Sequence, residues 1–239
     1  MTEVSAQSIE KLRYVSVATL ATALYRKGLR NQVIQDVRPL AQNGKNMVGP
    51  AFTLRYMPAR EDRNQLTEFL NPDHPQRQAI EQCPKGHILV MDSRKDARAA
   101  SAGDILITRL MMRGGAGVVT DGGFRDAATI AELDIPAYHS RPSSPTNLTL
   151  HEAIDINVPI GCGDVAVFPG DILVGDDDSV IVIPAHLCDE IADEAVEMTA
   201  YEDFVAEQVK AGTSIIGLYP CTKDAHRQKF EAWRKQHNR

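Results

Sequence analysis

Residues 99–126, AASAGDILITRLMMRGGAGVVTDGGFRD, decide how this chain is read. Residues 104–113 carry Ile105, Leu106, Leu110 and Met111 at helical spacing, and Gly114-Gly115-Ala116-Gly117 ends that helix. Val118-Val119-Thr120-Asp121 is a short apolar run of the kind buried strands show, and the next helix is predicted over 126–133. Two strand-to-helix junctions result. One presents Ser101-Ala102-Gly103-Asp104, the other Asp121-Gly122-Gly123-Phe124-Arg125-Asp126.

The same rhythm extends outward. His87-Ile88-Leu89-Val90-Met91-Asp92 reads as a buried strand, and residues 135–139 begin another extended run. This alternation predicts an α/β fold with parallel pairing and right-handed crossovers. Residues 5–27 read as helical through Leu12, Val15, Val17, Leu20 and Leu24, with Gly28 as the stop. Residues 33–37 and 49–56 are strand-like; 59–75, with Pro72 and Pro75, form a loop or a short exposed helix. From Asn157 the strands are shorter: Val158-Pro159-Ile160, Val165-Ala166-Val167, then 171–174 and 179–183, with glycine-marked turns between them. Pro184 opens a long helix over about 185–210, and residues 222–239 are charged and helix-prone. No interdomain linker is evident. The expectation is one domain over 1–239, with a mixed-sheet core of about 47–212, an N-terminal helical arm (1–46) and a C-terminal helical tail (213–239). Gly103-Asp104-Ile105-Leu106 recurs as Gly170-Asp171-Ile172-Leu173; a single tetrapeptide is coincidence, not a repeat.

A net charge of −6 argues against the basic face of a phosphate-backbone binder, so no nucleic-acid partner is expected. Residues 1–15 show no signal-peptide pattern, and the apolar runs are too short to span a membrane, so a cytoplasmic location is expected. Cys83, Cys162, Cys188 and Cys221 are scattered without a CxxC, which predicts buried or idle thiols and not a zinc site.

In open α/β sheets ligands collect beyond the carboxyl ends of strands, and helix N-termini offer free N–H groups to anions. Arg125 suits a carboxylate through its planar fork. Asp126 suits a hard divalent cation, and Asp104 suits a water held by that cation. Read locally, Asp104 and Asp126 serve equally well as helix caps, and Arg125 as a surface residue. His139 and Arg141, in the loop 139–147, read either as groups over a substrate's distal end or as ordinary surface. Lys95 stands among charged neighbours, against a Schiff-base role. Asp176-Asp177-Asp178 lacks EF-hand spacing and reads as a solvated turn, and Met111-Met112 as core packing.

The chain resembles the RraA-like family, which includes the 4-hydroxy-4-methyl-2-oxoglutarate/4-carboxy-4-hydroxy-2-oxoadipate aldolases. The matching residues are Gly103-Asp104-Ile105-Leu106, Gly117 to Asp126, Val158-Pro159-Ile160, Pro169-Gly170-Asp171, Gly175-Asp176 and Val180-Ile181-Val182-Ile183-Pro184, in family order. The resemblance implies an α-β-β-α sandwich around a swivelling-type β/β/α core, assembled as trimers or hexamers with sites between subunits. It implies a metal-dependent, class II-type lyase for small 2-oxo acids, giving pyruvate by retro-aldol cleavage, with oxaloacetate decarboxylation by the same route. Arg125 would hold the pyruvate carboxylate, Asp126 would ligate Mg²⁺ or Mn²⁺, and Asp104 would contact a metal-bound water. Backbone amides of Gly103, Asp104, Ile105 and Leu106 would orient the 2-oxo acid. A glutamate on the neighbouring subunit's C-terminal helix would reach the metal's water shell; register selects Glu202, with Glu197 second.

Two features depart from the family pattern. Many members carry an acid in the first helix, within a Thr-Leu-Ser-Asp-Ala-type run; here the run is Ala18-Thr19-Leu20-Ala21-Thr22-Ala23-Leu24, without it. The loop 139–147 is also unusual. Some members bind and inhibit ribonuclease E, so a non-catalytic regulator is the alternative expectation. The retained Gly103-Asp104 and Arg125-Asp126 set weighs against it, because a pure binding module needs no such site.

Overall fold

The computed structural model describes residues 4–42 and 44–239. In chain order the strands are β1 (Val33–Ile34), β2 (Arg38–Pro39), β3 (Met47–Pro58), β4 (Ile88–Asp92), β5 (Ala100–Ala102), β6 (Gly117–Thr120), β7 (Gly123–Phe124), β8 (Ala137–His139), β9 (Arg141–Pro142), β10 (His151–Ile156), β11 (Ile160–Cys162), β12 (Val165–Val167), β13 (Ile172–Gly175) and β14 (Val180–Ile183). The helices are α1 (Ala6–Leu12), α2 (Val17–Arg26), α3 (Pro75–Gln82), α4 (Asp104–Met112), α5 (Ala127–Ala131), α6 (Cys188–Lys210) and α7 (Asp224–His237).

The main sheet has nine strands in the order β1-β14-β13-β3-β4-β6-β8-β2, with β10 also paired to β3. The run β3-β4-β6-β8 is parallel, as the strand–helix rhythm predicts. The flanks are antiparallel, so the sheet is mixed. The long strand β3 serves both parts, pairing β13 through residues 47–50 and β10 through residues 54–58.

Alternation along these strands explains why they are apolar throughout. In β14, Ile181 and Ile183 face α1, α2 and α6, while Val180 and Val182 face inward. In β4, Leu89 and Met91 join a core with α3 and α4, while Ile88 and Val90 face inward. The inward sets meet in one core, which the β11–β12 hairpin helps to fill through Ile160, Cys162, Val165 and Val167. The sheet therefore curls on itself with helices outside both halves, which is the expected α-β-β-α sandwich. Strands buried on two faces need no polar alternation.

The predicted helix over 5–27 is two helices. Ser16 starts a new one: its hydroxyl accepts from the Thr19 N–H, and Asp176 accepts from the Val17 N–H at 2.8 Å. Asn46 donates to the Leu12 and Val15 carbonyls left open at the end of α1. α1 and α2 then pack on α6, so this segment belongs to the sandwich's outer layer. Asp176 is thus a structural acceptor, bonded also to the Asp178 and Ser179 N–H groups. Of the two methionines predicted to pack in the core, Met111 does so and Met112 is 71% exposed.

Leu173 is wholly buried in the inner core. Leu173→Ala should cost about 3 kcal/mol, the usual range for a large-to-small core change. Met112→Ala should stay within about 0.5 kcal/mol. Urea unfolding midpoints would show both, and equal losses would mean that the inner core is not tightly packed.

Candidate active site

A three-stranded sheet, β5-β7-β9, lies apart from the main one, and it assembles the site. β5 and β7 are parallel, with Ala102 opposite Phe124, and the Arg125 N–H donates to the Ala102 carbonyl at 3.1 Å. Both strand-to-helix junctions therefore open side by side, Gly103 leading into α4 and Asp126 into α5. They face a cavity of about 350 Å³ lined by Gly103, Asp104, Ile105, Leu106, Arg125 and Asp126, together with Phe69, Gln76, Arg77, Thr146 and Asn147.

Gly103 is required by what lies across it. A Cβ there would sit 2.8 Å from Arg125 Cγ and 3.3 Å from Asp126 Oδ2. The Arg125 stem is thus laid flat over a bare backbone. Its Nε is 3.3 Å from Asp126 Oδ2, so the adjacent pair interact, and the two terminal nitrogens remain for a ligand. Asp126 is in the left-handed region, at φ 57° and ψ 34°, which a non-glycine residue occupies at a cost. It precedes α5 without a side-chain capping bond, which sets aside the capping role open from sequence alone. Asp104 occupies the first turn of α4 after Gly103 as N-cap, and its carboxylate accepts from the Ile105 N–H at 2.8 Å.

Behind this surface lies a network of hydroxyls and carbonyls. Ser93, Ser101 and Thr120 join hydroxyls, with Ser101 Oγ 2.7 Å from Ser93 Oγ and 2.6 Å from Thr120 Oγ1. The Ser101 carbonyl accepts from both Tyr56 and Gln76. Asp121 is buried, and burial pushes its carboxyl above the usual range against three backbone N–H bonds, from Ser93, Lys95 and Gly163.

Asp126 and Asp104 line one cavity, and no third His, Cys, Asp or Glu joins them in a cluster among the described residues. That donor set fits a hard ion held by one or two carboxylates and water, such as Mg²⁺ or Mn²⁺; an enclosed zinc site takes more ligands.

The structure disposes of several other candidates. Lys95 pairs with Asp164 at 2.6 Å, and that bond raises its pKa, the opposite of what a Schiff-base lysine needs. Cys83, Cys162 and Cys188 are free and buried, and burial pushes Cys83 and Cys188 up to about 12. His139 does not line the cavity: it stacks on Phe124, where burial lowers its pKa to about 4. Arg141 is exposed, in β9. The same loop reaches the site at its far end, through Thr146 and Asn147. Glu202 lies on α6, outside this cavity, and accepts from Thr19 and Tyr219 of its own chain; Glu197 pairs with Arg234. Phe69, Gln76 and Arg77 escape the sequence reading because nothing in residues 66–82 marks them; the fold alone brings α3 to the cavity.

No helix among the described residues is long and apolar enough to cross a membrane. Over 219 residues the chain is 29% identical to a Halalkalibacterium halodurans protein named "Putative 4-hydroxy-4-methyl-2-oxoglutarate aldolase", covering 92% of this chain and 96% of that one. The crystal structure of Streptomyces coelicolor RraAS2, described as an unusual member of the RNase ES inhibitor RraA protein family, superposes with a TM-score of 0.74 at 29% identity, covering 84% of this chain and 96% of that one. An uncharacterized Pseudomonas syringae protein shares the fold, with a TM-score of 0.77 at 21% identity over 92% of this chain and all of its own. The RraA-like (Aldolase/RraA) family model matches residues 17–182, which include both junctions, and the chain belongs to that family.

Proposed function

We propose that the protein is a divalent-metal-dependent lyase of the class II type. It cleaves a 4-hydroxy-2-oxo acid to pyruvate and a second carbonyl compound, and it decarboxylates oxaloacetate by the same course. The observation that carries this reading is the pairing of Arg125 and Asp126 over the bare backbone of Gly103, with Asp126 in a strained conformation. The relative named as an aldolase supports it.

Arg125 grips the substrate carboxylate with its terminal nitrogens. Asp126 would hold a Mg²⁺ or Mn²⁺ ion, which when bound would supply Lewis acidity for the negative charge that develops on the 2-oxo group. The N-terminal amides of α4 at Gly103, Asp104 and Leu106 orient the 2-oxo acid, the Ile105 N–H being taken by the Asp104 carboxylate. Asp104 positions a water that takes the C4 hydroxyl proton; as the C3–C4 bond breaks, its electron pair goes to C3, which is then protonated to give pyruvate. Glu202 of a neighbouring subunit completes the site in a trimer or hexamer. Ile105, at the cavity, is 78% exposed, which suits a site covered by a second copy. A second reading, a ribonuclease regulator without turnover, is favoured by the likeness to the Streptomyces protein. It requires neither Arg125 nor Asp126.

A screen of 4-hydroxy-2-oxo acids and oxaloacetate with Mg²⁺ or Mn²⁺, read as pyruvate, tests the reading. EDTA should abolish turnover and either ion should restore it; turnover in chelator, with metal verified absent, excludes the proposed mechanism. Gly103→Ala should displace Arg125 and lower kcat/KM by on the order of 10²-fold while the fold is kept. A variant within about threefold of wild type would remove the Gly103–Arg125 contact from the mechanism. For the shared site, Glu202→Ala and Arg125→Ala proteins should each be nearly inactive, and dissociating and reassembling them together should recover part of the activity. Mixed oligomers without recovery would place Glu202 outside the neighbour's site.

A further inference from the structure

The cavity contains a second guanidinium that the mechanism above does not use. Arg77 projects from α3, and its Cζ lies 4.3 Å from the centroid of the Phe69 ring. Among the described residues it makes no ion pair, and its Nη1 is buried without a hydrogen-bond partner. Burial lowers its pKa from the ordinary arginine value. A partly desolvated guanidinium normally meets a carboxylate, because an unpaired buried charge is costly. The other arginines around α3 and α4 follow that rule: Arg109 and Arg113 share Glu81. Arg77 instead rests on an aromatic face, which fixes its plane while leaving its donors free.

We propose that Arg77 selects the substrate's distal group: it receives an anionic end, such as a second carboxylate, while Arg125 holds the carboxylate beside the 2-oxo group. This rests on the 2-oxo-acid reading and adds a specificity-determining residue to it.

The test compares substrates of matched length with and without a distal carboxylate. Arg77→Gln should lower kcat/KM for a 4-hydroxy-2-oxo dicarboxylate by on the order of 10²-fold, mostly through KM. For the corresponding monocarboxylate the change should stay within about threefold. Phe69→Leu, which leaves the guanidinium but removes the ring under it, should lose part of the same preference. Equal losses on both substrates would make Arg77 merely structural, and no loss on the dicarboxylate would remove it from the site. A binding arm separates this inference from the function it rests on. By calorimetry with Mg²⁺, wild type should bind 2-oxoglutarate about tenfold or more tighter than 2-oxopentanoate, and Arg77→Gln should abolish the difference. That result without any turnover would defeat the lyase reading and keep the subsite. Failure of wild type to discriminate, or unchanged discrimination in the variant, overturns the proposal. Should Arg77→Gln not fold, Arg77→Lys, which keeps the charge and loses the fork, should show a smaller loss confined to the dicarboxylate.

Discussion

Asp121 directly follows β6 with its carboxylate buried, accepting hydrogen bonds from the N–H groups of Ser93, Lys95 and Gly163. These donors come from the loop after β4 and from the β11–β12 turn, so one side chain pins three parts of the chain. Burying the charge is costly, as the raised pKa records, and the three N–H bonds offset it in part. A folded-state pKa above the unfolded one means that ionised Asp121 detracts from stability at neutral pH, and the penalty shrinks as pH falls through the raised value. The next residue, Gly122, has no room for a Cβ, which would meet Ser93 Cβ at 2.6 Å and Ser101 Oγ at 2.7 Å. The chain can turn into β7 and deliver Arg125 beside Gly103 only because both conditions hold.

Much of this was legible from the sequence. The buried strands β4 and β6, the helix α4 and the long α6 follow from apolar runs and helical spacing, because packing on two sheet faces leaves a strong pattern. Shorter elements leave none. β5, β7 and β9 have two or three residues each, and their pairing is set by contacts far apart in the chain. The break at Ser16 was equally hidden, because the partners that fix it, Asn46 and Asp176, lie outside the helix. Gly103-Asp104-Ile105-Leu106 opens a helix, while Gly170-Asp171-Ile172-Leu173 leads into a strand. Tertiary context decides between them.

For the site, residue types suggested the chemistry and the backbone separated it from capping. An aspartate before a helix is ordinary; one held in the left-handed region without a capping bond is not. That difference lies in φ and in the Arg125 stem over Gly103, neither of which composition or spacing encodes. Arg77 is the converse case. Its role rests on an absent partner, and absence of a partner has no sequence signal.

Register ranks Glu202 before Glu197 among the acids of α6, and their partners distinguish the two. Glu190 pairs with Lys27, Glu194 with Arg26, Glu197 with Arg234 and Asp203 with Arg239. These pairs are exposed and contribute little to stability, but each compensates its carboxylate within its own chain. Glu202 differs. Its partners are two neutral hydroxyls, Thr19 Oγ1 at 2.7 Å and the Tyr219 phenol at 3.2 Å. Hydroxyl donors orient a carboxylate and leave its charge uncancelled, whereas Arg234 spends the charge of Glu197. A group meant to act on a cation's water shell across a subunit boundary must arrive both oriented and charged. Of the two glutamates that the family resemblance singles out, only Glu202 meets both requirements, which supports the assignment proposed for it.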